Sequence, residues 1–191
     1  MNEAVDFKIV EAPAKPISMN PKKFGMWLFI ASVTMLFMAL MSAYIVRRAE
    51  GNWVFYELPN IFGYSTILVI LSSVCLQLAY FYRVNVTRAN NLIVATFLLG
   101  IVFLAMQSLG MYQLLKEGHH FTGGNVSESF FFIFPWLHGL HIIGGLVYLI
   151  IVFITLRKGS FNKVQMEMCT TYWHFLGLLW LYLFVFLTLL R

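Results

Sequence analysis

The sequence is 191 residues long, 60% hydrophobic and only 11% charged, whereas soluble domains carry about 25% charged residues. That composition excludes an ordinary water-soluble globule and makes a lipid bilayer the natural solvent. The formal net charge of +5 follows from basic loops, so it points to anionic lipid headgroups and not to nucleic acid.

Residues 1–23 are charged and hold three prolines, too polar and too long for the short basic start of a secretory signal. They are expected to form a cytoplasmic tail ahead of a membrane domain covering residues 24–191. Five apolar runs follow: Phe24 to Val46, Phe62 to Tyr82, Asn90 to Leu115, Ser129 to Leu156 and Met166 to Leu190. Each exceeds the roughly 20 residues that cross about 30 Å of hydrocarbon. The first four contain no Asp, Glu, Lys or Arg, and the fifth contains only Glu167. Because lipid offers no partners to backbone groups, runs of this length form helices. The expected fold is all-α, a polytopic bundle of five transmembrane helices. Short connections are expected to make consecutive helices antiparallel and adjacent.

Basic residues orient such a bundle, because basic loops stay in the cytoplasm. One side takes nine, Lys8, Lys15, Lys22, Lys23, Arg83, Arg88, Arg157, Lys158 and Lys163, and the other takes four, Arg47, Arg48, Lys116 and Arg191. The amino terminus is therefore expected inside and the carboxy terminus outside. The outward loop from Lys116 to Glu128 is Gly-rich and carries His119 and His120, which as adjacent residues cannot share a helix face and make a weak metal site. Cys75 and Cys169 fit no zinc or thioredoxin spacing and read as filler. Trp53, Tyr56, Trp136, Tyr172 and Trp173 fall near span ends, where an interfacial aromatic belt is expected.

Residues three and four apart share a helix face. His138, His141, Gly145 and Tyr148 therefore form one stripe on the fourth helix, and Glu167, Thr170, His174 and Gly177 form another on the fifth. Side chains that hydrogen-bond, alternating with glycines that let backbones approach, mark buried seams between membrane helices. At a rise of 1.5 Å per residue, His138 and His141 sit about 7 and 2 Å outward of their helix midpoint and His174 about 6 Å inward of its own. Zinc requires ligand atoms at about 2.0–2.1 Å, so convergence of the three would need a large offset between the helices. Hydrogen-bonded pairing is the expected role, with a proton network or a metal as the alternatives. Two other classes stay open. A small transporter would show a broken helix or a charged site at mid-membrane, and a histidine-based membrane metalloenzyme would need a third ligand and a base.

The stretches LHGLHIIGGLVYLIIV and EMCTTYWHFLGLLWLYLF resemble the last two helices of subunit III of haem-copper oxidases. KKFGMWLFIASVTMLF is similar to the family's first helix in its five-helix form, and LLGIVFLAMQSLGMY to its glutamine-bearing helix. The matching positions are Phe24, Gly25, Ser32, Gln107, His138, Gly139, His141, Gly144, Glu167, Tyr172, Trp173, His174, Phe175 and Trp180. Three positions depart: Val33, Gly110 and Gly177 stand where the family has carboxylates, so proton roles proposed for those carboxylates do not transfer. The resemblance implies a bacterial inner-membrane subunit with no catalytic residue, metal or cofactor of its own, haem and copper residing in partner subunits. Its implied partners are subunit I, subunit II, membrane phospholipids and a larger respiratory supercomplex. Its implied role is to stabilise subunit I of a proton-pumping oxidase, hold lipid and support proton uptake. His138, His141, Gly144, Glu167, His174 and Gln107 are the residues expected to build the polar seams.

Overall fold

A computed structural model describes residues 20–49, 58–116, 126–159 and 163–190. Five helices fill them: α1 (Pro21–Ala49), α2 (Ile61–Phe81), α3 (Val86–Lys116), α4 (Val126–Arg157) and α5 (Lys163–Leu190). Each is long and apolar enough to cross a membrane, and the described residues contain no strand. His119, His120, Trp53 and Tyr56 lie outside the described residues.

Local chemistry sets the ends. Asn20 accepts the Lys22 N–H at 3.1 Å through its side chain and Pro21 opens α1, a pairing that suits a helix start because the first N–H groups lack partners within the helix. Asn85 caps α3 in the same manner, its side chain accepting from the Arg88 N–H at 3.4 Å. The tight turn between α2 and α3 closes with Asn85 N–H donating to the Tyr82 carbonyl at 2.8 Å. α4 passes Pro135 without interruption and ends at Arg157, two residues before Gly159, whose φ of 69° belongs to the left-handed region that favours glycine.

Helices α2, α3, α4 and α5 close a ring, each packing on the next and α5 returning to α2, while α1 packs outside the ring on α4 and α5. The expectation that consecutive helices neighbour one another fails at α1, which makes no close backbone approach to α2. Its single buried stripe, Ile30, Val33, Phe37, Met41 and Tyr44, decides its place. The eleven residues between α1 and α2 can span roughly 36 Å, so this connection does not force adjacency.

Trp173 occupies the middle of the ring and is 1% exposed. A Cβ on Gly100 of α3 would lie 2.9 Å from its ring and from Leu146, and one on Gly145 of α4 would lie 3.2 Å from it. The absent side chains make the indole's seat. Trp173 and Tyr172, expected in an aromatic belt facing the membrane interface, are instead buried against neighbouring helices. Trp136 is exposed. Gly144, expected to bring backbones together, is exposed and a Cβ there meets only the Tyr172 hydroxyl, at 4.0 Å. Adjacent residues on a helix point about 100° apart, and it is Gly145 that faces α5.

Gly100→Ala is expected to destabilise the purified chain by about 1–3 kcal/mol, the usual cost of overpacking. Gly144→Ala should be neutral or mildly stabilising, since alanine is favoured over glycine in helices by about 1 kcal/mol. Reversible unfolding in mixed micelles compares the two, and greater damage from Gly144→Ala would refute this packing.

Candidate functional site

The buried polar chemistry is organised by α2. Ser65 and Thr66 donate to the Phe62 carbonyl at 2.9 and 2.8 Å, and Ser72 donates to the Val69 carbonyl at 2.8 Å. Each hydroxyl proton is thereby committed to its own helix, which leaves the oxygen lone pairs as acceptors. Three donors from other helices use them. The Gln107 amide of α3 donates to Ser65 at 3.0 Å, the Trp180 indole of α5 to Thr66 at 3.0 Å, and the Trp173 indole to Ser72 at 3.0 Å. Ser65, Thr66 and Ser72 escaped the sequence reading, although hydroxyl residues about seven apart in an apolar run are a legible signal of one polar face.

His138 is fully buried but does not form the hydrogen-bonded pair expected of it. Both ring nitrogens lack a partner among the described residues. The ring sits instead edge-on to Phe37 and Phe103 at 6.5 and 6.1 Å between centroids, and tilted on Trp180 at 5.3 Å. Its surroundings are aromatic, and such ring pairs contribute about 0.5–1.5 kcal/mol each beyond area burial.

The α5 stripe faces α2. The His174 Nε2–H donates to Gln77 Oε1 at 2.9 Å, and a Cβ on Gly177 would lie 3.1 Å from the Ser73 hydroxyl. One end of this seam is ionic. Glu167 accepts from Lys23 of α1 at 2.6 Å and from the Tyr80 hydroxyl of α2 at 2.9 Å, with Lys163 at 3.7 Å. One carboxylate thus ties α1, α2 and α5 together. Lys23, Tyr80 and Gln77 were not foreseen, because pairing across helices requires knowing which helices meet. Gln77, Tyr80, Glu167, Thr170, Thr171 and His174 line a small polar cavity of about 220 Å³.

His141 lies between α4 and α1. Its Nδ1–H donates to the Leu137 carbonyl one turn back at 2.7 Å, and its own carbonyl accepts from the Tyr172 hydroxyl at 3.3 Å. Phe29 and Phe37 of α1 contact the ring at 6.5 and 5.8 Å, and Val33 lies between them in sequence, 3% exposed. Gly110 is packed so closely that a Cβ would come within 2.8 Å of Ile61 and 2.9 Å of Phe62. At Gly110 even a methyl group is crowded, so neighbours fill the space a carboxylate would need, whereas Gly177 lines an open groove of about 450 Å³ between α2 and α5 and meets only the Ser73 hydroxyl. Among the described residues no group of three His, Cys, Asp or Glu side chains is placed to hold a metal ion.

The fold and its seams define an all-α, multi-pass membrane protein whose buried polar groups join helix to helix. Residues 56–190 match the sequence profile described as Cytochrome c oxidase subunit III, and the chain belongs to that family. It is 27% identical over 175 residues to the probable quinol oxidase subunit 3 of Staphylococcus saprophyticus, covering 86% of this chain and 87% of that one. It is 26% identical over 185 residues to the cytochrome c oxidase subunit 3 of Bacillus sp. (strain PS3), covering 91% and 88%. To the cytochrome bo(3) ubiquinol oxidase subunit 3 of Buchnera aphidicola subsp. Acyrthosiphon pisum it is 28% identical over 182 residues, covering 91% and 88%. Family membership makes the chain part of a multi-subunit oxidase complex.

Glu167→Gln keeps an acceptor for Tyr80 but removes the charge that holds Lys23 and Lys163. Because these lysines are 39% and 60% exposed, the loss should be small, about 0.2–1 kcal/mol, and should shrink as salt is raised. Thermal unfolding in detergent at low and high ionic strength measures it; a salt-independent loss would show that the ion pairs contribute nothing.

Proposed function

We propose that this chain, as subunit III of a haem-copper terminal oxidase, acts through packing and carries no redox centre of its own. It stabilises subunit I, contacts subunit II, holds phospholipid and supports proton uptake through sustained turnover. Haem and copper belong to those partner subunits, and the assembly extends to a respiratory supercomplex. The amino terminus faces the cytoplasm and the membrane is the bacterial inner membrane, in keeping with the nine basic residues on one side against four on the other.

The observation that carries the reading is the family match over residues 56–190. The interior agrees with it: Trp173, Trp180, Gln107, Glu167 and His174 are each engaged with another helix. A structural subunit of this kind affects the lifetime of the complex more than its chemistry. An oxidase purified without this chain is expected to retain its haem spectrum and its initial rate of oxygen consumption, and to lose activity sooner under continuous turnover. Missing haem bands in an otherwise assembled complex would contradict the proposal by giving this chain a cofactor role.

A further inference from the structure

We propose that the outward face formed by α1 and α4 around His141 is the surface on which a transmembrane helix of a neighbouring oxidase subunit docks. The helix donates an O–H or N–H hydrogen bond to His141 Nε2. The inference rests on the reading of this chain as one subunit of a larger oxidase, and begins with a tautomer. Carbonyl oxygens only accept, so the 2.7 Å contact to Leu137 places the proton of the neutral ring on Nδ1 and leaves Nε2 as a bare acceptor. That nitrogen bonds no described residue and is absent from the buried unpaired atoms. In a half-buried side chain it therefore reaches the surface.

Depth makes this a problem that the bilayer cannot solve. His141 is the sixteenth of the 32 residues of α4, which puts it roughly 22 Å from either end of the helix. Headgroups and water are not available there, acyl chains have no donors, and protonating the ring would place a charge at the centre of the membrane. A protein donor remains. The hydroxyls of Ser108, Thr155 and Thr188 face no such deficit, because they bond carbonyls of their own helices at 2.9, 2.7 and 2.7 Å.

The surface beside His141 suits a helix. Gly25 and Gly144 are exposed; a Cβ would find nothing within 4 Å at the first and only a hydroxyl at 4.0 Å at the second. Exposed Ser32 lies one turn along α1 from Phe29, which contacts the His141 ring. Small residues permit close backbone approach, the arrangement that membrane helices use to associate. A hollow of about 160 Å³ bounded in part by Phe29 and Tyr172 opens beside it and gives room for a partner side chain.

The test uses the intact oxidase with p-benzoylphenylalanine placed singly at Ser32, Gly144, Leu98 or Val102, the last two on the exposed face of α3. Ultraviolet irradiation should crosslink the Ser32 and Gly144 variants to another oxidase subunit and leave the α3 variants uncrosslinked. In parallel, His141→Phe preserves the ring against Phe29 and Phe37 but removes the acceptor. It should lower retention of this chain by mild-detergent co-purification roughly threefold, the equivalent of the 0.6 kcal/mol that hydrogen bonds between membrane helices average. Crosslinks from α3 in place of α1 and α4, crosslinks to a second copy of this chain, or wild-type retention of His141→Phe would each overturn the docking surface. A wild-type chain that purifies apart from every oxidase subunit would overturn the parent reading as well.

Discussion

The bundle depends on how one large side chain is seated. Trp173 lies where α2, α3, α4 and α5 meet, fitting against the bare backbones at Gly100 and Gly145 and giving its N–H to Ser72. In lipid, apolar burial does not drive helices together, because the tails are as apolar as leucine. Close contact and hydrogen bonds must hold them, and Trp173 supplies both in one residue. Two turns along α5, Trp180 repeats the arrangement with Thr66 of α2 and with Phe103 and His138 around its ring. At the far end Tyr44 of α1 donates to the Leu190 carbonyl at 3.1 Å, which fastens the outer helix to the end of α5.

How much of this could be read from the residues differs by level. The five spans were legible because bilayer thickness fixes the length of an apolar run, and the helix ends fall within a few residues of the ends of the expected runs. The Glu167, Thr170, His174, Gly177 stripe was legible as a seam, but its partner was not. Helical spacing says which residues share a face and nothing about which helix that face meets, so Gln77 and Tyr80 had to wait for the structure. The same gap explains Gly144, one residue from the glycine that matters in the chain's own packing. Position along a run likewise does not show that Trp173 turns inward, onto Gly100, Gly145 and Ser72, and not toward an aromatic belt. The pairing of α1 with α4 and α5 was hidden by a connection long enough to permit several arrangements.

The three positions at which the family resemblance implies carboxylates form a coherent set. Val33 is part of the buried stripe of α1, Gly110 packs beneath Ile61 and Phe62, and Gly177 lies against Ser73. Each is committed to helix contact. The carboxylate on the α5 stripe, Glu167, sits at the entry of its helix among lysines, where an ion pair costs little to maintain. His138 leaves its nitrogens unpaired inside the bundle, whereas His141 turns its free acceptor outward at mid-membrane, which is what a subunit surface leaves for its neighbour.

The central claim is that donors on α5 and acceptors on α2 hold the ring, and a double-mutant cycle between Ser72 and Trp173 tests it most directly. Unfolding of the wild type, Ser72→Ala, Trp173→Phe and the double variant in mixed micelles yields their coupling. The account predicts a favourable coupling of about 0.6 kcal/mol and up to about 1.7, the range measured between membrane helices. Strictly additive losses would contradict it, showing that the indole contributes bulk alone and that the hydroxyl ladder of α2 holds nothing together.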